Sequence, residues 1–225
     1  VVIAVLILLL AMLVPSLSRA REQARRVYCM NNLSHWGRAI GLYREDNRDY
    51  LPAEGNTDPD QPHTWYNELP PYLDAPPYRD VEGAGKAIRD FPELHIWICP
   101  SKNRSRLYKS LLGKNQFHYG MNLALDGLDG NRAPRSTDKP GLPVSARRFQ
   151  DRPQTVLMFD IYPNSSRGYQ PDVATAFHGD YANVLRLTGS VAGFRPDDFV
   201  EDGDFERGVP IWYHPELYWG YLPRE

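Results

Sequence analysis

Val1-Val2-Ile3-Ala4-Val5-Leu6-Ile7-Leu8-Leu9-Leu10-Ala11-Met12-Leu13-Val14 carries no polar side chain. No other run in the 225-residue chain is comparable, and the mean hydropathy of the whole, -0.53, is that of a soluble protein. One apolar end on a polar body predicts a tether. Fourteen helical residues reach roughly 21 Å, short of the ~30 Å hydrocarbon core of a bilayer. Counting on through Leu17 leaves the segment about a turn short. The chain starts with Val, so the expectation is that about six further apolar residues upstream complete a spanning helix. A cleaved secretory signal is the competing reading, and it expects small residues at a cleavage site soon after the apolar run. The run passes instead into Pro15-Ser16-Leu17-Ser18-Arg19-Ala20-Arg21-Glu22-Gln23-Ala24-Arg25-Arg26, a charged, helix-forming stretch. The anchor reading is preferred, dividing the chain into an anchor (1–17), an amphipathic helix (18–48) and a globular body (49–225).

Past Pro15 two apolar stripes point in different directions. Leu17, Ala20, Ala24 and Val27 follow a three-four spacing, with Tyr28 beside them and Asn31 and His35 extending the line. Cys29, Leu33, Trp36, Ile40 and Tyr43 follow a four-three-four-three spacing on another side. A helix with two faces to bury needs two partners. The bulky Trp36 stripe suits a folded body; the small, alanine-rich Leu17 stripe suits a second helix approaching closely. One wide apolar face on a single core is the plainer alternative. Pro15 removes a backbone donor and predicts a kink. Gly37 and Gly41 each cost about 1 kcal/mol relative to alanine, so they mark either a close contact or a helix held by its neighbours. Glu45-Asp46-Asn47-Arg48-Asp49-Tyr50-Leu51-Pro52 ends the element.

At these residues the chain resembles the prepilin-type N-terminal segment of type IV pilins and type II secretion pseudopilins. Val1-Val2-Ile3-Ala4, Pro15 and the stretch Ser16–Arg26 carry the resemblance. Cys29-Met30-Asn31-Asn32-Leu33 is similar to a signature of a pseudopilin-like subgroup. So, in the same order along the chain, are Cys99-Pro100-Ser101, Tyr119-Gly120-Met121-Asn122, Gln154-Thr155-Val156-Leu157 and the run His178-Gly179-Asp180-Tyr181-Ala182-Asn183-Val184-Leu185. Two features depart from the pattern. A glycine followed by Phe-Thr-Leu-Ile-Glu is not in the sequence, so the processing site and assembly glutamate have no counterpart to point to. The Asp-Gly turn after the histidine motif is Thr188-Gly189 here. Arg19, Arg21, Arg25 and Arg26 against Glu22 would, by the positive-inside rule, keep the body in the cytoplasm. The resemblance implies the opposite topology, single-pass in the bacterial inner membrane with the body outside, and this is the expectation adopted. It also implies a pilin-like fold.

The body is long enough for one sizeable core. Net charge is -2 with pI about 6.3 and the signs are mixed, which argues against a nucleic-acid surface. Twenty prolines and seventeen glycines predict many turns. Thr155–Phe159 reads as a buried strand and Leu94–Ile98 as a less regular one. Ala182–Leu187, Thr188-Gly189 and Ser190–Phe194 read as a hairpin in which Gly189 supplies a positive φ. Helix then strands predicts an α+β fold, the helix packed on an antiparallel sheet. The stretches 55–89 and 126–148 are proline-bearing and have no clear element.

Few residues suggest chemistry. The six histidines (35, 63, 95, 118, 178, 214) show no metal-protease spacing, and His178-Gly179-Asp180 has no nucleophile motif beside it, so His178 reads as structural. Glu82-Gly83-Ala84-Gly85-Lys86-Ala87 lacks the spacing and hydroxyl of a phosphate loop. The acidic loops around Asp126 and Asp129 and around Asp202 and Asp204 offer hard oxygens suited to calcium, against the reading of solvated acidic loops. The resemblance adds that some secretion pseudopilins bind calcium in a C-terminal loop; no other cofactor is expected. Cys29 and Cys99 are the only cysteines. Outside the cytoplasm they can oxidise across a loop of about seventy residues, contributing about 2–4 kcal/mol; two buried reduced thiols are the alternative. The aromatic tail 211–221 suits packing, subunit contact or carbohydrate, with packing the default.

The leading expectation is a structural, non-enzymatic pseudopilin-like subunit. Its partners are other pilin or pseudopilin subunits, inner-membrane assembly machinery and the bilayer. The alternative is a membrane-tethered extracytoplasmic binding protein or enzyme with a borrowed export signal, which predicts a polar pocket with clustered, shifted titratable groups.

Overall fold

A computed structural model describes residues 2–55, 60–83, 96–101, 117–122, 125, 143–161, 167–168, 178, 181–195, 200–202, 211–213 and 217. One helix, α1 (Val2–Asp46), dominates it. It runs on through Pro15, where the ring removes the amide donor to the Ala11 carbonyl. Leu33, Trp36 and Cys29 are fully buried, with Ala39, Ile40 and Tyr43 beside them. Leu17, Ala20, Ala24, Val27 and Tyr28 are exposed. Every side chain described from Val2 to Arg21 is exposed as well, so the first half of α1 stands clear of the body. At its C-terminus Asn47 folds back on the Tyr43 carbonyl through both N (2.9 Å) and Nδ2 (2.8 Å). Arg48 and Asp49 then adopt positive φ (55° and 66°), which no helix can continue through.

The remaining elements are β1 (Tyr50–Leu51), α2 (Trp65–Glu68), α3 (Tyr78–Gly83), β2 (Tyr119–Asn122), β3 (Val144–Ser145), β4 (Val156–Asp160), β5 (Arg167–Gly168), β6 (Ala182–Arg186), β7 (Val191–Phe194), β8 (Val200–Asp202) and β9 (Ile211–Tyr213). The main sheet has the order β5-β2-β4-β6-β7; β2 and β5 are parallel and the other neighbours antiparallel. Two small pairs, β1-β3 and β8-β9, stand apart from it. The fold is α+β, a long helix with antiparallel sheets. Both faces of the sheet are buried. Leu157, Met158 and Leu185 join the helix side of the core; Val156, Phe159, Ile161, Ala182, Val184 and Phe194 form a second cluster that Leu217 covers.

Two local expectations change. Ile96-Trp97 is a short 3-10 turn rather than part of a strand. The carbonyls a strand would offer to a neighbour go to α1 instead: Trp36 Nε1 donates to Ile96 O (3.3 Å) and Asn32 Nδ2 to Ile98 O (3.2 Å). The proline-bearing stretch after Gly55 contains α2, a 3-10 turn (Pro70–Leu73) and α3. These elements are too short for a periodic signal, yet they deliver Trp65, Tyr66 and Tyr78 to an aromatic cluster with Trp36, Trp97 and Phe117. Its edge-on contacts include Trp36–Trp97 at 5.1 Å and Trp36–Trp65 at 5.3 Å between centroids. The β6-β7 hairpin closes through Gly189 (φ 81°), with a three-residue loop, Leu187-Thr188-Gly189, between the paired Arg186 and Ser190. The Thr188 hydroxyl accepts from Ser190 N (3.3 Å) at the departure from Asp-Gly.

The helical glycines differ. A Cβ on Gly37 would come 2.9 Å from Leu185 Cδ1, whereas one on Gly41 meets nothing within 4 Å. Gly41→Ala is therefore expected to stabilise the protein by about 0.5–1 kcal/mol, and Gly37→Val to destabilise it by about 1–3 kcal/mol through overpacking. Denaturant unfolding of the detergent-solubilised chain checks both. Equal effects at the two positions would contradict this packing.

Candidate functional site: a buried thiol, imidazole and carboxylate cluster

Where α1 crosses the sheet, a group of polar side chains is sealed below it. Cys29 comes from α1 and Cys99 from the segment after Trp97; their Sγ atoms are 2.7 Å apart and both residues are fully buried. Both cysteines are thiols in the structure. His178 Nε2 lies 3.3 Å from Cys99 Sγ and 3.4 Å from Asp160 Oδ2. Asp160, at the end of β4, takes two hydrogen bonds on Oδ2 from neighbouring β6, from Asn183 N and Asn183 Nδ2, each 2.9 Å. On the other side of the imidazole, His178 Nδ1 is 3.7 Å from Glu22 Oε1, and Glu22 also accepts from Ser101 Oγ and from Arg25 NH1 (2.7 Å). His118 Nδ1 accepts the Cys99 amide at 2.7 Å, and Asn32 Nδ2 reaches Tyr119 Oη at 3.2 Å.

A buried carboxylate is tolerable only when paired and hydrogen-bonded, and Asp160 meets that condition on Oδ2, through Asn183 and His178. Burial by itself pulls the His178 imidazole down, but Asp160 and Cys99 outweigh it and hold its pKa up at about 9. The imidazolium is therefore the cation that balances Asp160. Burial, with the adjoining Cys99, pushes the Cys29 thiol far up and keeps it protonated. Tyr119 is pushed up by burial as well, with the two cysteines and Asp160 adding to the effect.

The cluster gathers residues from most of the signature motifs quoted above: Cys29 and Asn32, Cys99 and Ser101, Tyr119, and His178 with Asn183. The short matches share one place in the fold. The chain belongs to the family described as Protein of unknown function (DUF1559). The match covers residues 18–147, more than half of the chain. No curated protein and no solved structure matches it. The DUF1559 match contains the helix side of the cluster and the Cys99 and Tyr119 segments, while Asp160, His178 and Asn183 lie beyond it.

Of the sequence-derived candidates, Cys29 and Cys99 are brought together. Leu33, Trp36, Ile40 and Tyr43 are buried in the core, and Leu17, Ala20, Ala24 and Val27 stay exposed. Asp126, Asp129 and Asp204 lie outside the described residues, as does the side chain of Asp202, whose backbone ends β8. Sequence reasoning missed the roles of Asp160, Asn183 and Glu22, and it read His178 as a structural residue before the hairpin. A carboxylate ending a buried apolar strand was the available signal for Asp160. The described groups that gather the metal-ligating types are Cys29, Cys99 and His178, whose ligand atoms all lie within 4.8 Å of one another.

Beside the cluster, the Arg26 guanidinium lies over the Tyr181 ring at 3.9 Å and Arg195 over the same ring at 4.9 Å. A Cβ on Gly193 would collide with Arg26, so the glycine in β7 leaves the arginine its path.

His178 gives the stability a definite pH dependence. Its folded pKa, about 9, exceeds the unfolded value of 6.5, so the stabilisation is fully present below about pH 6.5 and is lost as pH rises through about 9. The groups facing it are Asp160, Glu22, Cys29 and Cys99. Urea unfolding of the dithiol form is expected to show a loss on the order of 3 kcal/mol across that window, and Asp160→Asn to flatten the profile. A stability that rises with pH over the same range would contradict the pairing.

Proposed function

We propose that this protein is a non-enzymatic, pseudopilin-like structural subunit, held in the inner membrane by α1 until a secretion or pilus-like machine packs it beside other subunits. The observation that carries the reading is the divided burial of α1. One stripe is locked into the body, while the apolar first half and the small-residue side stand free. α1 is long and apolar enough to cross a membrane, and the apolar window lies entirely outside the body. A bilayer is a natural cover for Val2–Val14. A neighbouring copy of α1 is a natural cover for Leu17, Ala20, Ala24 and Val27, where small side chains let backbones approach. The DUF1559 family is often found with pilin-like, prepilin-type N-terminal segments, which supports the same reading.

A second reading, a tethered binding protein or enzyme, draws support from the shifted titratable groups of the cluster. Their burial favours the first: Cys29 and Cys99 are fully covered and His178 nearly so. The proposed topology sets the family resemblance against the Arg19, Arg21, Arg25 and Arg26 cluster, and follows the resemblance.

Ala24→Glu separates assembly from folding. The site is exposed, so the body's stability is expected to change by no more than about 0.5 kcal/mol, while filament formation is abolished by a charge on the packing side. Immunoelectron microscopy of cell-surface material with an antibody to the body, alongside thermal unfolding, reads both. Normal filaments in the variant would sink the assembly face, and a wild-type protein that never self-associates would sink the subunit reading altogether.

A further inference from the structure

The segment 96–101 runs along α1 in the opposite direction and is fastened to it at successive turns. Ile96 O accepts from Trp36, Ile98 O from Asn32, Cys99 Sγ meets Cys29 Sγ, and Ser101 Oγ donates to Glu22. Three of these contacts are hydrogen bonds. At the fourth, two thiols face each other, with His178 Nε2 3.3 Å from Cys99 Sγ.

We propose that Cys29 and Cys99 form an intramolecular disulfide that staples α1 to the body about two helical turns inside Glu22, where its contacts with the body begin. The inference rests on the body lying outside the cytoplasm, where thiols are oxidised. The cysteines are seventy positions apart, so the bond closes a long loop and restricts the unfolded chain strongly. Closing it requires the two side chains to approach by less than about 1 Å. One of the two cysteines, as its thiolate, attacks the disulfide of an exported thiol oxidoreductase, releasing one oxidant thiol and forming a mixed disulfide. The other cysteine sulfur then displaces the second. Two thiols lose two protons and two electrons, and the oxidant's disulfide becomes a dithiol. With both sulfurs buried in the closed fold, the reaction precedes docking of segment 96–101, and the finished bond is shielded from reductant. In a filament, pull between the helical core and the body would then pass through a covalent link as well as the hydrogen bonds beside it.

The test is intact-mass measurement on full-length protein taken from membranes into acid to quench thiol exchange, then denatured and alkylated with iodoacetamide after return to a pH of about 8, where the thiolate forms. The expected result is no alkyl group without reductant and two after reduction. In the native fold, reductant leaves the mass unchanged until denaturant is added. Two alkyl groups without prior reduction overturn the staple, and stoichiometric zinc in the same sample would identify the pair as metal-held thiolates. Thermal unfolding provides a second measurement: reduction is expected to lower the wild-type Tm by on the order of 10 °C and to leave a Cys29→Ser, Cys99→Ser chain unaffected. Protease treatment of spheroplasts reports topology independently. A protected body overturns the extracytoplasmic reading, whereas free thiols in a protease-accessible body overturn the staple alone.

Discussion

Burying one stripe of a long helix while leaving the rest in contact with something other than the body constrains the whole molecule. Cys29, Leu33, Trp36, Ile40 and Tyr43 sit in the core, and the body is arranged around them. Trp36 shows how. Its ring is clasped edge-on by Trp65 and Trp97, and its indole N–H is spent on the Ile96 carbonyl. Truncating a buried aromatic of this kind typically costs about 3–5 kcal/mol, a large share of the marginal stability of a domain. The close approach of α1 to the sheet depends on Gly37, where Leu185 fills the space a side chain would need.

Below that apolar contact the helix seals a polar one. Asp160 on β4, Asn183 on β6 and His178 are held against α1 by Glu22, Cys29 and Cys99. Such a group contributes little net stability while complete, because desolvation offsets most of the attraction. Removing one member leaves a buried charge uncompensated, at about 3–5 kcal/mol. It makes the docking of α1 selective: a helix shifted by one residue would replace Glu22 beside His178 with Arg21 or Gln23 and lose the carboxylate there. The apolar stripe supplies the adhesion, and the polar cluster supplies the register.

These two layers explain why the exposed half of α1 stays accessible. The interactions that hold the helix begin at Glu22, so residues before it make no demand on the body and remain free for a bilayer or a neighbouring helix. The Arg25–Glu22 pair and the stacking of Arg26 on Tyr181 turn two of the juxtamembrane arginines toward the body. Only part of the cluster that sets the topology conflict is left facing outward.

The apolar N-terminus, the two stripes of α1, the buried strand at 156–160 and the hairpin through Gly189 are all legible in the chain, because each is a local pattern: a helical period, an apolar run, or a residue that tolerates positive φ. The short helices after Gly55 and the turn at Ile96-Trp97 are not, since elements of four to six residues carry no period and tertiary contacts take their hydrogen bonds. That the two cysteines could pair is legible as well, but their meeting with Asp160 and His178 belongs to the tertiary structure alone. Nothing in their spacing links them, and they converge because strand order β2-β4-β6 lays the carboxylate and its asparagine side by side under the one helix that supplies the thiol. Local chemistry determined which pieces form; burial of a single helix stripe decided where they meet.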